Sequence, residues 1–245
     1  KVPVPGRGLS SPIIVGGLVL LTSATETDRL VIAYEKSSGH KRWETIVHQG
    51  PLQEKIHRKN SGATPTVASD GSYGFSVFLH AGEVMLTALD MEGKVVWQRA
   101  AGPYECDYGF GYAPSPTVYG DLVIVSSEFT AGGFLAAFRK SDGEEVWRTD
   151  RRVKTSYSSP IVAFVGEKHQ LLLSGADLVS GYDPDTGRRL WQVAGSSKAT
   201  CGTMVWNEDT VFASGGFPNK ETLAVRVTGE PKVLWRHAEA CYEQS

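Results

Sequence analysis

Five tryptophans recur at an almost constant distance behind a second landmark, and this interval constrains the fold more than any other feature. Trp43, Trp97, Trp147, Trp191 and Trp235 close the phrases AYEKSSGHKRW, TALDMEGKVVW, AAFRKSDGEEVW, GYDPDTGRRLW and AVRVTGEPKVLW. The second landmark is a hydroxyl residue before proline: Ser11-Pro12, Thr64-Pro65, Ser115-Pro116 and Ser159-Pro160, with Thr203-Met204 in the fifth unit. From its second residue to the tryptophan the separations are 31, 32, 31, 31 and 31. A glycine stands four residues before the tryptophan in four units (Gly39, Gly93, Gly143, Gly187); in the fifth, Gly229 stands six before. Such self-similarity marks a repeat architecture.

Each unit reads as four short strands. PIIVGGLVLL and PTVYGDLVIV are hairpins, and PTVASDGSYGFSVF is one with a longer turn, since Gly, Asn and Asp tolerate the positive φ that tight hairpin turns need. The third strand is LVIAY, VMLTALD, FLAAF, LVSGYD or TLAVRV. A glycine turn then leads to the fourth strand, which carries the tryptophan. A single sheet of roughly 45 residues cannot bury both faces, but radially stacked sheets bury one another. The expected fold is all-β: a β-propeller of four-stranded antiparallel blades. The repeat units fall at approximately 9–45, 62–99, 113–149, 157–193 and 201–237, within one propeller domain or a piece of one spanning 1–245. The tryptophans are expected to dock one blade on the next rather than to stack on a ligand.

Composition narrows the function classes. Charged residues make up 21% and the formal net charge is −2, so no basic excess points to nucleic acid. The longest apolar stretch, Pro12 to Leu21, is too short to span a bilayer and Gly16-Gly17 interrupts it. There is no G-x-S-x-G, no glycine-rich phosphate loop and no H-E-x-x-H, so no catalytic residue is assigned. The three cysteines, Cys106, Cys201 and Cys241, match no common metal spacing. They follow their tryptophans by nine, ten and six residues and so share one face. Cys201 and Cys241, in neighbouring connectors, are read as free thiols or as a disulfide. His57 is the most evident metal-ligand candidate, and one histidine does not make a site.

The residue after each tryptophan is Glu44, Gln98, Arg148, Gln192 or Arg236, so the Trp-Asp signature of WD repeats fails. The phrase DPDTGRRLW (Asp183 to Trp191) instead resembles the tryptophan-docking repeat of the quinoprotein-like (PQQ-like) propeller family. The same repeat occurs in the propeller lipoprotein of the outer-membrane β-barrel assembly machinery. PGRGLSSP, EKIHRKNSGATPT and YGFGYAPSP resemble a bacterial branch of that family. The resemblance implies a ring of seven or eight blades, of which five repeats would be a part, and a periplasmic or otherwise exported protein. Its dehydrogenase members bring a quinone cofactor, PQQ, with calcium, a catalytic Asp and an adjacent cysteine pair. No Cys-Cys occurs here. The leading expectation is therefore a non-enzymatic scaffold or binding module for a protein or carbohydrate partner, without a cofactor. A PQQ-dependent dehydrogenase-like enzyme is the alternative.

The stretch from each tryptophan to the next landmark is variable: 22, 19, 13 and 13 residues. Each connector crosses one face on its way to the next inner strand, and insertions confined to one face of a repeat array tend to mark its binding face. The two long connectors, Glu44 to Ala63 and Gln98 to Pro114, carry His48, Glu54, Lys55, Glu105 and Cys106. They also carry the candidate binding residues His57, Arg58, Lys59, Asn60, Tyr104, Asp107 and Tyr108. The alternative is a pair of solvated loops that satisfy their own backbone.

Overall fold

A computed structural model describes residues 1–52, 57–105, 108–151 and 154–239. Twenty strands and no helix form among them, and no helix there is long and apolar enough to cross a membrane. The strands make five four-stranded antiparallel sheets, each ordered as in the chain, which is the blade topology of a β-propeller. The first sheet holds β1 (Ile13–Val15), β2 (Leu18–Ala24), β3 (Asp28–Glu35) and β4 (Lys41–Gln49). The second holds β5 (Ala68–Ser69), β6 (Tyr73–His80), β7 (Glu83–Asp90) and β8 (Val95–Pro103). The third holds β9 (Thr117–Tyr119), β10 (Leu122–Phe129), β11 (Gly132–Arg139) and β12 (Glu145–Arg151). The fourth holds β13 (Ile161–Val165), β14 (Lys168–Gly175), β15 (Leu178–Tyr182) and β16 (Arg189–Ala194). The fifth holds β17 (Val205–Asn207), β18 (Thr210–Gly215), β19 (Glu221–Arg226) and β20 (Lys232–His237).

Burial explains the strand sequences. The middle strands are covered on both faces, so β3 and β15 are nearly continuous buried runs. The outer β4 mixes exposed and half-buried positions because one face looks to solvent. The outer strands also run past the repeat bounds read from the sequence. β4 continues six residues beyond Trp43 to Gln49, which places His48 in a strand rather than in a connector.

The chain divides into two compact units, Lys1–Val123 with Phe138–Glu144, and Ile124–Ala137 with Glu145–Ser245. In the first, Leu20, Val31, Val67, Phe78 and Leu89 share a core. The Trp43 Nε1–H donates to the Met91 carbonyl at 2.8 Å, and the Trp97 Nε1–H to the Lys140 carbonyl at 2.8 Å. Each indole lies against the glycine of the turn it reaches: a Cβ on Gly93 would stand 2.5 Å from Trp43 Cδ2, and one on Gly143 2.6 Å from Trp97 Cε3. The hydroxyl landmarks link blades as well. Thr66 Oγ1 accepts from the Ser11 amide at 3.0 Å, and Ser115 Oγ from the Thr66 amide at 2.9 Å.

In the second unit the core joins Val165, Leu172, Val179, Val211, Leu223 and Val225. Trp147 follows the same docking pattern, donating to the Pro184 carbonyl at 3.1 Å with its ring against Gly187. Trp191 departs from it. Its Nε1–H donates to Gln170 Oε1 at 2.6 Å, on β14 of its own blade, and its ring lies over its cross-strand neighbour Gly181. Gly229, the glycine with the irregular spacing, has nothing within 4 Å of its Cβ position.

Candidate functional site

In the first unit the described parts of the two long connectors, 50–52 with 57–67 and 104–105 with 108–116, are fastened to each other and to the blades by buried polar side chains. Asn60 is the clip. Its Nδ2 donates to the Phe110 carbonyl at 2.5 Å and the Tyr112 carbonyl at 3.4 Å, both on the other connector. Its Oδ1 accepts from the amides of Ser61 (2.6 Å) and Gly62 (2.8 Å) and from Thr64 Oγ1 (2.8 Å). The His57 amide donates to the Gly109 carbonyl at 2.9 Å, and the His57 ring lies 4.5 Å from that of Phe110. His57 Nδ1 accepts from the Lys59 amide at 3.2 Å, a bond internal to the loop. The Tyr104 hydroxyl donates to the Gly111 carbonyl at 2.9 Å, and its ring meets Tyr112 edge-on at 5.4 Å.

The candidate residues thus fall into two layers. Asn60 and Tyr104 are buried and hold backbone, with His57 half-buried beside them. Arg58, Lys59 and Tyr108 are exposed on the surface they support. Asp107 lies outside the described residues, as do Glu54, Lys55, Cys106 and Cys241. Cys201 is exposed. The residue types and connector lengths allow either a binding surface or loops that satisfy their own backbone, and they do not reveal that two loops of different blades share one asparagine.

Asn60→Ala is expected to cost about 2–4 kcal/mol, because several buried backbone groups lose their partner at once. Urea unfolding measures the loss, and limited proteolysis should show new cleavage in both connectors, the second included.

Beneath the connectors lies a cluster of cationic and imidazole side chains that sequence reasoning missed. Arg29 on β3 donates through its two terminal nitrogens to the carbonyls of Gly50 and Pro51, anchoring the first connector. The rings of His48 and His80 stack at 5.0 Å and 16°. Burial first, then the nearby His80 and Arg29, pushes the His48 imidazole down from 6.5 to about 4. The usable signal was a charge adjoining the apolar run of a doubly covered strand, RLVIAY.

A lowered histidine pKa means that the unfolded chain binds the proton first. The stability held above about pH 6.5 therefore falls as pH drops towards 4, by on the order of 2 kcal/mol once partial solvent screening is counted. Urea midpoints across that window should flatten in His48→Gln. An unchanged slope would assign the effect to other groups.

The second unit carries its own buried polar centre. Glu128 on β10 pairs with Arg151 on β12 at 2.6 Å, with both side chains at most 3% exposed. The Arg151 Nε–H donates to Glu128 Oε1 at 2.8 Å, and its Nη1 to the Tyr182 hydroxyl. Burial pulls the guanidinium down, but Glu128 and Tyr182 outweigh it and the net direction is up. Elsewhere in this unit an open groove of about 520 Å³ is lined by Asp177, Ser197, Lys198, Asn219, Lys220 and Glu221 among others. Among the described residues no group of three or more His, Cys, Asp or Glu side chains converges as a metal site would require.

Repeated blades, tryptophan–glycine docking and a loop-built polar face define a propeller of the quinoprotein-like repeat class. The family model for the outer membrane protein assembly factor BamB matches residues 1–105 and 58–244. The chain belongs to that family. No curated protein matches it. Among solved structures, BamB from Moraxella catarrhalis is similar at 18% identity and a TM-score of 0.67, covering 96% of this chain and 65% of that one. The quinohemoprotein alcohol dehydrogenase from Comamonas testosteroni is similar at 15% identity and a TM-score of 0.63, covering 95% of this chain and 43% of that one. The C-terminal WD40 domain of Sif2 is similar at 11% identity and a TM-score of 0.64, covering 94% of this chain and 57% of that one. The chain therefore spans less than two thirds of the length of these proteins. At such identities the likeness is one of fold.

Proposed function

We propose that this chain is a non-enzymatic binding module that presents the connectors 50–67 and 104–116 to a protein partner, in an exported, periplasmic setting. The observation that carries this is the two-layer arrangement: Asn60, His57 and Tyr104 spend their polar groups on backbone, so Arg58, Lys59 and Tyr108 stand on a pre-organised surface. Arginine and tyrosine are the residue types that most often anchor protein interfaces. Membership in the family of an outer membrane protein assembly factor supports a protein partner over a carbohydrate and supports the exported setting.

Photo-crosslinkers placed at positions 58 and 108 test this reading, with solubilised outer-membrane proteins as the probe. The expected result is a discrete adduct from both positions, the one from position 108 weakened at least tenfold by Arg58→Glu with Lys59→Glu. Adducts that form equally from position 145 in β12, and survive the charge reversal, would overturn it.

The alternative is a PQQ-dependent dehydrogenase-like activity, which rests on the likeness in fold to the quinohemoprotein enzyme. The donor set fits that cofactor poorly: there is no adjacent cysteine pair, and no carboxylate cluster converges among the described residues to take calcium. Alcohol oxidation after reconstitution with PQQ and calcium would favour the alternative over the binding module.

A further inference from the structure

The first unit buries a cation with no carboxylate in ion-pair contact among the described residues. Arg29 is 2% exposed and forms no ion pair among the described residues. Its Nη1 and Nη2 are used by the Gly50 and Pro51 carbonyls, and its Nε has no hydrogen-bond partner. Asp28 favours its charge through space, while His48 Nε2 and His80 Nδ1 are likewise buried without a partner, and burial favours the neutral form of both stacked imidazoles.

Arg29 also lines a partly enclosed cavity of about 20 Å³, whose other walls include Leu52, Asn60, Pro65, Leu79 and Tyr112. A single water-sized particle needs roughly 10–15 Å³, so the cavity has room for one such particle. Burying a guanidinium without a counter-charge is expensive, and a water molecule would answer Nε while leaving the charge. A monatomic anion answers both. We propose that this cavity is a structural halide site, binding chloride against Arg29 Nε and so helping to hold the first connector on its blade.

Crystals of the wild-type protein grown from bromide test the site directly. The expected result is an anomalous peak in the cavity beside Arg29 Nε. A water there, with no anomalous signal at high bromide, would overturn the proposal. In solution, raising chloride from about 5 to 150 mM at constant ionic strength, with methanesulfonate as the balancing anion, should raise Tm by about 2–4 °C by mass action. Arg29→Gln should lose that halide dependence. The wild-type comparison decides even where Arg29→Gln fails to fold: an equal Tm in chloride and methanesulfonate would overturn the proposal.

Discussion

Replacing Arg151 with methionine is expected to destabilise the protein by about 3–5 kcal/mol, the largest loss from any single side chain considered. The cause is what stays behind. The Glu128 carboxylate is 3% exposed, and its cationic partner is the 2.6 Å contact with Arg151. Without that guanidinium the carboxylate must remain charged and buried with only Ser156 among its named partners, or take up a proton. The double variant Glu128→Gln with Arg151→Met removes both charges and should recover most of the loss. Urea unfolding of the two variants measures the difference. Equal losses would mean that the packing of the arginine stem, rather than the stranded charge, sets the cost.

Substituting the docking glycine Gly143 with alanine is expected to cost about 2–5 kcal/mol, from two sources that add. The residue sits at φ +72°, where a side chain costs about 1–2 kcal/mol. Its Cβ would stand 2.6 Å from Trp97 Cε3, and overpacking of that kind costs about 1–3 kcal/mol. Gly229 is the internal control. It has nearly the same backbone, φ +68°, but nothing within 4 Å of its Cβ position, so Gly229→Ala should cost only the strain, about 1–2 kcal/mol. Chemical unfolding followed by tryptophan fluorescence measures both. Equal losses would show that backbone conformation, and not contact with the indole, is what the glycine is kept for.

These two predictions differ in where their information lay. The glycines could be found in the sequence because docking is a repeated local geometry. A turn glycine four residues before the tryptophan puts the turn of one blade over the indole of the blade before it, and the interval recurs because the geometry recurs. The anomaly was legible too: Gly229, spaced by six, lacks the contact, whereas Gly39, spaced by four with no repeat tryptophan before it, meets Val2 instead. What the repeat did not show is where Trp191 would go instead. That depends on Gln170, a residue on another strand, and on the absence of a side chain at Gly181 to let the ring lie across it.

The candidate site was legible only in part, for a related reason. Connector length pointed to residues 44–63 and 98–114, and Arg58, Lys59 and Tyr108 are exposed there. Asn60 and Tyr104 carry the same residue-type signal and sit underneath, because a polar side chain in a loop bonds water or backbone according to which other loop lies against it. Arg29, His48 and His80 are separated by 19 and 32 residues and meet only through cross-strand pairing and blade packing. Sequence alone determined the blade, its strands, its docking glycines and the variable connectors, since all of these follow from periodicity along one chain. Only the tertiary structure decided which polar groups were buried together, Glu128 with Arg151 and Asn60 with Phe110, since burial depends on neighbours that the order of residues does not place.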